Sequence, residues 1–321
     1  MAGGHGTRSI VAAFLANSGV AVMKFVAFAF TGSGAMLAES IHSVADAGNQ
    51  GLLLLGGRRA RREPTAQHPF GYGRERYFWA FVVAVVLFAL GSLFALFEGF
   101  EKLRHPHVVE EPAWAFGVLT GAIVLEAFSF RTAILESRPL KGEASWWSFI
   151  RHSKVPELPV VLLEDLGAMV GLVFALGAVA MTVITGDPVW DAAGTLAIGL
   201  LLGVIAITLA IEMKSLLIGE SAAPDTQRRI ESAITTPPGV RRLIHMRTQH
   251  IGPDELLVGA KIEFEPTLTM TALADAVNEV EKAVRDAVPE ATIMYLEPDV
   301  AQLAADRGER DEAVPAPGPA S

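Results

Sequence analysis

The sequence predicts an α-helical membrane protein with six transmembrane helices, followed by a small C-terminal α+β domain. Three observations carry this prediction. The 321-residue chain is 51% hydrophobic with a mean hydropathy of +0.39, which is too apolar for an ordinary soluble domain. Six separate stretches reach the roughly 20 apolar residues that a membrane span requires. After residue 219 the long apolar runs stop, and short amphipathic patterns replace them.

The composition also restricts the chemistry. The chain has no cysteine, so disulfides and thiolate metal sites are excluded, and any bound metal must use histidine, carboxylate, amide or backbone ligands. A formal net charge of -9 argues against general nucleic-acid binding. The polar N-terminal stretch runs into a long apolar segment without a small-residue cleavage site, which predicts a first membrane helix and not a removable signal peptide.

Positive charge is distributed unevenly between the predicted spans. Lys and Arg are concentrated between spans two and three and between spans four and five, whereas the other connections hold few. The positive-inside rule therefore predicts that both termini are cytoplasmic, in a multi-pass protein of the inner cell membrane. The spans are predicted at 10–31, 34–57, 77–103, 113–136, 158–185 and 189–217.

The C-terminal segment predicts a ferredoxin-like domain. Its apolar residues suggest a helix, two strands around a Gly-Pro-Asp turn, a second helix and a last strand. This order, αββαβ, suits a small ferredoxin-like fold. We therefore predict a transmembrane domain at 1–219, a cytoplasmic domain at 220–300 and a disordered tail at 301–321. The elements of the tail domain are predicted at 225–236, 241–250, 255–265, 269–288 and 291–297.

Span two carries a polar stripe that incidental packing explains poorly. His42 and Asp46 lie four residues apart on one helical face, and a charge in hydrocarbon costs about 2.5–3.5 kcal/mol. An imidazole and a carboxylate on one face inside a bilayer form a candidate divalent-metal site. Glu39 and Asn49 extend the stripe. The alternative is a set of structural hydrogen bonds between helices, and Glu39 is near enough to the outer surface for simple hydration.

Span five supplies two adjacent acids, Glu164 and Asp165. They point about 100° apart, so only one of them can face a given partner directly. At about 1.5 Å per residue, Asp46 lies ~16 Å and Asp165 ~10–14 Å from the inner ends of their spans. These similar depths predict a site built from His42, Asp46 and Asp165. Glu164 is a fourth ligand, a proton carrier or a helix–helix contact.

Three further polar residues lie inside spans, and two of them have two interpretations each. Asn17 and Lys24 lie two turns apart in span one. Asn17 is a further candidate for the metal site, whereas Lys24 either neutralises an acid of the empty site or forms an ordinary interhelical salt bridge. Glu126, in the middle of span four, either joins a water-filled path or bonds to a neighbouring helix.

Two runs of sequence resemble a known family. Residues 37–46 read LAESIHSVAD and follow Asn17 and Lys24, and residues 68–76 read HPFGYGRER. With six spans and the tail domain, these runs resemble the cation diffusion facilitators over about residues 8–300, and within them the zinc-transporter-nine-like branch. The resemblance implies a homodimer, not an enzyme, that exchanges Zn²⁺ or a similar ion for protons by alternating access.

The resemblance also implies roles for particular residues. In this family two ligands four residues apart on the second helix face two on the fifth, and the first pair corresponds to His42 and Asp46. Asp165 takes one position of the second pair. Val161 stands four residues before it and cannot bind a metal, which leaves Glu164 as the best substitute.

Two further metal sites of the family have weak counterparts in this sequence. Some members bind metal in the inner loop after helix two, where His68 fits but Tyr72 stands in place of a second histidine. Some members bind zinc between their tail domains. The corresponding positions here lack histidine and aspartate, so we predict a tail that dimerises without a binuclear site. Those positions are Ile244, Lys261, Tyr295 and Glu297.

The ligand types leave the substrate open. One histidine with two or three carboxylates suits Zn²⁺ and also tolerates Mn²⁺, Fe²⁺ or Co²⁺. A membrane metallohydrolase is a rival, because His42, Asp46 and Glu164 resemble a metal site with a general base, although the facing helices hold no further histidine. A metal sensor that uses the tail domain and a transporter of organic cations are the remaining alternatives.

Overall fold

The computed structural model describes residues 5–31, 34–105 and 112–299, so the predicted disordered tail at 301–321 lies outside the described residues. The chain divides into two compact units, Met1–Ile218 and Gly219–Ser321. The first unit is helical, and the second contains a small sheet.

Long helices build the first unit. One of them is continuous from α3 through a π-helical segment into α4, and the short helix α6 precedes α7. Ser145 caps α6, since its side chain accepts a hydrogen bond from the Ser148 backbone nitrogen. The helices are α1 (His5–Thr31), α2 (Gly34–Ala60), α3 (Glu75–Val86), the π segment (Leu87–Leu93), α4 (Phe94–Arg104), α5 (Pro112–Lys141), α6 (Trp146–His152), α7 (Glu157–Thr185) and α8 (Val189–Ile218).

Four stretches among the described residues are long and apolar enough to cross a membrane. They correspond to the predicted spans three to six, and they confirm a helical membrane unit. Helices α1 and α2 match the first two predicted spans in position and have 27 residues each, but they are not among these four. The four stretches are Glu75–Arg104, Phe116–Lys141, Glu157–Thr185 and Val189–Ile218.

Helix α7 lies at the centre of the membrane unit, where it contacts α1, α3, α5 and α8. Its first nine residues, 157–165, are all buried. The neighbouring pair α4 and α8 packs closely, because a Cβ atom at Gly199 would lie 2.9 Å from the backbone nitrogen of Leu96. Small residues allow such close approach between membrane helices. The Ser92 hydroxyl in the π segment donates to the Gly199 carbonyl at 2.8 Å and strengthens the same contact.

The second unit has the expected order of helix, two strands, helix and strand. Strand β1 pairs antiparallel with β2, and β2 pairs parallel with β3, in the sheet order β1-β2-β3. Apolar residues of β2 and the two helices form the core, among them Ile230, Ile262 and Val280. The last strand begins and ends two residues later in the chain than predicted. The elements are α9 (Pro224–Thr235), β1 (Val240–Gly252), β2 (Glu255–Phe264), α10 (Met270–Ala287) and β3 (Ile293–Asp299).

Candidate metal site

Two acids on α7 are buried inside the membrane unit. Glu164 is 7% and Asp165 is 2% exposed. They belong to the part of α7 that is buried on all sides, between α1, α3, α5 and α8. A buried carboxylate must be hydrogen-bonded, protonated or bound to a cation, because desolvation of a bare charge is very unfavourable. The partners of these two acids therefore define the site.

Glu164 points toward α2. Its Oε1 accepts a hydrogen bond from Asn49 Nδ2 at 2.8 Å, and its Oε2 accepts one from Gln50 Nε2 at 2.9 Å. Asn17 Nδ2 on α1 in turn donates to Gln50 Oε1 at 3.4 Å. A chain of amides thus connects α1 and α2 to the carboxylate on α7 and holds it in one orientation.

Asp165 points toward α5. Its Oδ2 accepts a hydrogen bond from the Ser129 hydroxyl at 2.8 Å. Adjacent residues on a helix diverge by about 100°. The structure accordingly gives Glu164 partners on α2 and Asp165 a partner on α5. Both acids remain part of one electrostatic cluster, because Asp46 on α2 and Glu126 on α5 interact electrostatically with each of them.

This cluster of four carboxyl groups is electrostatically unfavourable by itself. Like charges at short range repel, and burial increases the cost because water no longer screens them. In the described part of the chain, the groups that act on Glu164 and Asp165 are acids, amides and a hydroxyl. Protons or a bound cation can neutralise such a cluster, and the two compete for the same oxygens.

Several predicted site residues have side chains outside the described residues. They are Glu39, His42 and Lys24. The backbone of α2 is helical through 42–46, so His42 and Asp46 stand one turn apart on that helix. Among the described side chains, no group of three or more His, Asp or Glu is arranged to hold a metal ion. The set of His42, Asp46, Asp165 and Glu164 therefore stays a prediction.

The structure also locates the weaker candidates. Val161 is buried in the apolar core, one turn before Asp165. His68 lies in an exposed loop, where its ring contacts the ring of Tyr72 with centroids 4.8 Å apart. Thr65 Oγ1 organises this loop, because it accepts from the His68 backbone nitrogen and hydrogen-bonds to the Tyr72 hydroxyl.

Sequence reasoning missed three contributors to the site. Gln50 and Ser129 hydrogen-bond to the α7 acids, and both are uncharged residues inside predicted spans. The third is an ion pair that anchors the start of α7: Arg76 Nε and Nη2 donate to the two oxygens of Glu157 at 2.5 and 2.7 Å. Glu157 is 3% exposed and precedes Glu164 by two helical turns. Gln50 could have been recognised as a candidate because it is polar, lies inside span two and directly follows Asn49.

In the tail unit, Lys261 is one of the four positions at which the sequence resemblance would place a tail metal site. Its Nζ bridges Asp299 Oδ2 at 2.9 Å and Glu297 Oε1 at 3.1 Å. Hydrogen bonds to Asp299 and to Glu297 raise the pKa of Lys261 above its usual range. The ammonium group thus neutralises two carboxylates that would otherwise be available to a cation.

Apolar helices around buried, mutually repelling carboxylates define a multi-pass membrane protein with a polar site inside the membrane unit. Residues 10–218 match the cation efflux transmembrane domain, and the chain belongs to this family. The prediction of a cation diffusion facilitator is therefore confirmed.

Relatives of known name agree with this assignment. The chain is 33% identical over 245 residues to "Proton-coupled zinc antiporter SLC30A9, mitochondrial" of Mus musculus, covering 75% of this chain and 43% of the relative. It is 31% identical over 264 residues to "Metal tolerance protein C4" of Arabidopsis thaliana, covering 81% and 57%. The chain thus spans about half the length of these relatives. The similarity to the first of them confirms the predicted likeness to the zinc-transporter-nine branch.

A relative of more similar length is "Magnetosome protein MamM" of Paramagnetospirillum magneticum, 26% identical over 280 residues and covering 84% of this chain and 80% of the relative. The solved structure "MamM-CTD 215-293" aligns with 24% of this chain and 95% of that chain, at 24% identity and a TM-score of 0.23. A TM-score this low bears on neither fold nor function.

Proposed function

We propose that this chain exports divalent metal ions, with Zn²⁺ as substrate, in exchange for protons and by alternating access. The observation that carries the proposal is the cluster of Asp46, Glu126, Glu164 and Asp165 in the membrane unit. Such a site binds either protons or a metal cation, because both neutralise the same carboxylates. Binding of one ion therefore releases the other, which couples metal transport to proton transport. The zinc antiporters among the relatives support the choice of substrate.

In the proposed cycle the inward-facing site binds the metal through Asp46, Glu164, Asp165 and the neutral imidazole of His42. Ligands must be deprotonated to bind, so protons leave as the metal enters. Asn49 and Gln50 orient Glu164, as outer groups commonly orient metal ligands. The helices then expose the site to the other side, where protons displace the metal.

We base the proposed membrane topology and dimeric assembly of the protein on its family. Helices α1 and α2 complete a set of six spans, with both termini cytoplasmic and the protein in the inner cell membrane. The transport domain comprises residues 1–219, and a ferredoxin-like tail domain comprises 220–300. Two copies form the functional dimer, without a binuclear zinc site between their tails. Glu39, Asn17 and His68 are secondary candidates for contact with the ion along its path.

Other divalent ions remain open as substrates, because carboxylate-rich sites tolerate Mn²⁺, Fe²⁺ and Co²⁺. The metallohydrolase alternative has no support from the family, which consists of cation transporters.

Reconstitution into liposomes tests the proposal. A gradient that is acidic on the side receiving zinc should drive Zn²⁺ flux, reported by a zinc-sensitive dye, and Asp46→Ala should abolish it. Parallel runs with Mn²⁺, Fe²⁺ and Co²⁺ rank the substrates. Absent metal flux, or flux that is unchanged in Asp46→Ala, would refute the proposal.

A further inference from the structure

An open pocket of about 410 Å³ lies at the C-terminal end of α2. Leu55, Arg58, Arg59 and Arg62 line it. Three arginines therefore line one pocket together with an aliphatic side chain. The volume falls in the range of small-molecule sites, which are commonly between about 300 and 1,000 Å³.

Close packing between α2 and α3 shapes this end of the helix. A Cβ atom at Gly56 would lie 2.9 Å from Trp79 Cβ, so the absence of a side chain there lets the indole approach α2. The Arg59 guanidinium lies 5.3 Å from the centroid of the Trp79 ring. The indole is itself fixed, because its Nε1 donates to Glu75 Oε2 at 2.7 Å. Arg59 is thus held in place by a cation–π contact.

The pocket arginines lack the carboxylate partners that some other arginines of the protein have. Arg76 and Arg151 form ion pairs with glutamates. In the described part of the chain, no carboxylate pairs with the side chains of Arg58, Arg59 or Arg62, and the buried Nε of Arg59 lacks a hydrogen-bond acceptor. Guanidinium groups without a carboxylate partner keep their accessible N–H donors free for an external anion, and Arg58 and Arg62 are exposed.

The position of the pocket indicates the kind of anion. Trp79 lies in the first turns of the candidate span Glu75–Arg104, at the level where membrane proteins place aromatic residues near the headgroups. Leu55 ends the apolar run 52–55, and the arginines follow it directly. An aliphatic wall beside several guanidinium groups matches a ligand with a phosphate next to a hydrocarbon chain, and guanidinium is well suited to phosphate oxygens.

We propose that this pocket binds the phosphate of an anionic phospholipid. The positive-inside effect alone would explain basic residues at this end of α2, but it requires no pocket and no particular arginine. Arg61 belongs to the same basic run without lining the pocket, which makes it a matched comparison. The lipid site is independent of the metal site, so it stands or falls separately from the proposed transport.

The test uses the purified full-length protein, delipidated in a neutral detergent. Dioctanoyl phosphatidylglycerol is titrated, and native mass spectrometry counts the bound molecules and measures the dissociation constant. One lipid per chain is expected to bind with preference over dioctanoyl phosphatidylcholine. Arg59→Gln should weaken this binding about five-fold, since one basic residue near a membrane surface contributes roughly that factor. Arg61→Gln should leave it unchanged.

Three results would overturn the proposal. Equal binding of the two lipids would remove the role of charge, and equal weakening in Arg59→Gln and Arg61→Gln would indicate diffuse attraction to the basic surface. If glycerol 1-phosphate binds the pocket as tightly as the lipid does, the pocket is a site for a soluble phosphate and not for a phospholipid. If Arg59→Gln fails to give a monodisperse protein, Arg62→Gln replaces it under the same expectations, because Arg62 lines the pocket without stacking on Trp79.

Discussion

Asn49 provides the sharpest test of how the site is organised. Its amide donates one of the two hydrogen bonds that hold the Glu164 carboxylate, at 2.8 Å, while Gln50 donates the other. A hydrogen bond to a charged group is worth about 1.5–3 kcal/mol. This corresponds to about 10- to 150-fold in an equilibrium constant. Loss of a group that orients a metal ligand typically costs about 10- to 100-fold in affinity. Asn49→Ala should therefore weaken zinc binding between about 10- and 100-fold.

The assay is zinc uptake into proteoliposomes at a fixed pH gradient, with initial rates measured over a range of Zn²⁺ concentrations. Asn49→Ala should raise KM within that range while the protein stays folded. Ser92→Ala is the matched control, since it also removes a buried 2.8 Å hydrogen bond, but one that joins the π segment to Gly199. A double variant that adds Asn49→Ala to Glu164→Gln should show little further loss, because the charged acceptor is already gone.

Two results would refute this reasoning. An unchanged KM in Asn49→Ala would mean that Glu164 does not bind the ion or needs no orientation. An equal rise in KM for Ser92→Ala would mean that general loosening of the helices, and not the orientation of Glu164, sets the affinity.

Three further predictions concern other contacts. Ser129→Ala should raise the KM for zinc about tenfold in the same uptake assay, because Asp165 loses its hydroxyl partner. Arg76→Gln should lower the free energy of unfolding by about 3 kcal/mol, measured by thermal melting in detergent, since it leaves the buried carboxylate of Glu157 unpaired. Lys261→Met should destabilise the tail unit at neutral pH. Because the pKa of Lys261 is raised in the folded protein, its contribution to stability is complete below the ordinary lysine pKa. That contribution is lost as the pH rises through the raised pKa. Calorimetry should therefore show an alkaline loss of stability in the wild type that is missing from Lys261→Met.

Each of these predictions has a comparison on the same chain. Thr132→Val lies one turn from Ser129 and removes only a bond to the α5 backbone, so its KM should stay at the wild-type value. Arg228→Gln breaks an ion pair with Asp225 in which both side chains are exposed, and it should cost about 1 kcal/mol or less. If Arg76→Gln costs no more than Arg228→Gln, the ion pair at the start of α7 is not structural. If the tail unit of Lys261→Met loses as much stability at high pH as that of the wild type, a group other than Lys261 causes the alkaline loss.

The pattern of apolar and polar residues along the sequence was sufficient to predict the long helices and the first two strands. Apolar length located the helices to within a few residues, and alternation located β1 and β2, because both signals are repeated over many positions. The short helix α6 lies between the predicted spans four and five, and its seven residues hold too little periodicity to be recognised as a helix. The π-helical segment inside the third long helix likewise has no signature in the residue types.

The site was only partly readable from the sequence. The cost of a charge in hydrocarbon singled out Asp46, Glu164 and Asp165 as candidates, because such a charge needs a structural or functional reason. Their partners could not be read in this way. Gln50 and Ser129 are neutral, and such residues are common within membrane helices as ordinary hydrogen-bonding groups. The contact of Arg76 with Glu157 joins residues 81 positions apart, so only the packing of α3 against α7 brings them together.

The central claim is that one zinc ion binds between α2 and α7 through carboxylates and a single imidazole. Zinc K-edge X-ray absorption on the purified protein, loaded with one Zn²⁺ per chain, tests this directly. We expect oxygen and nitrogen ligands at about 2.0–2.2 Å with the scattering of one imidazole. That imidazole should disappear in His42→Ala, and the number of oxygen ligands should fall in Glu164→Ala. A spectrum with two or more imidazoles, or one that neither substitution changes, would contradict the account.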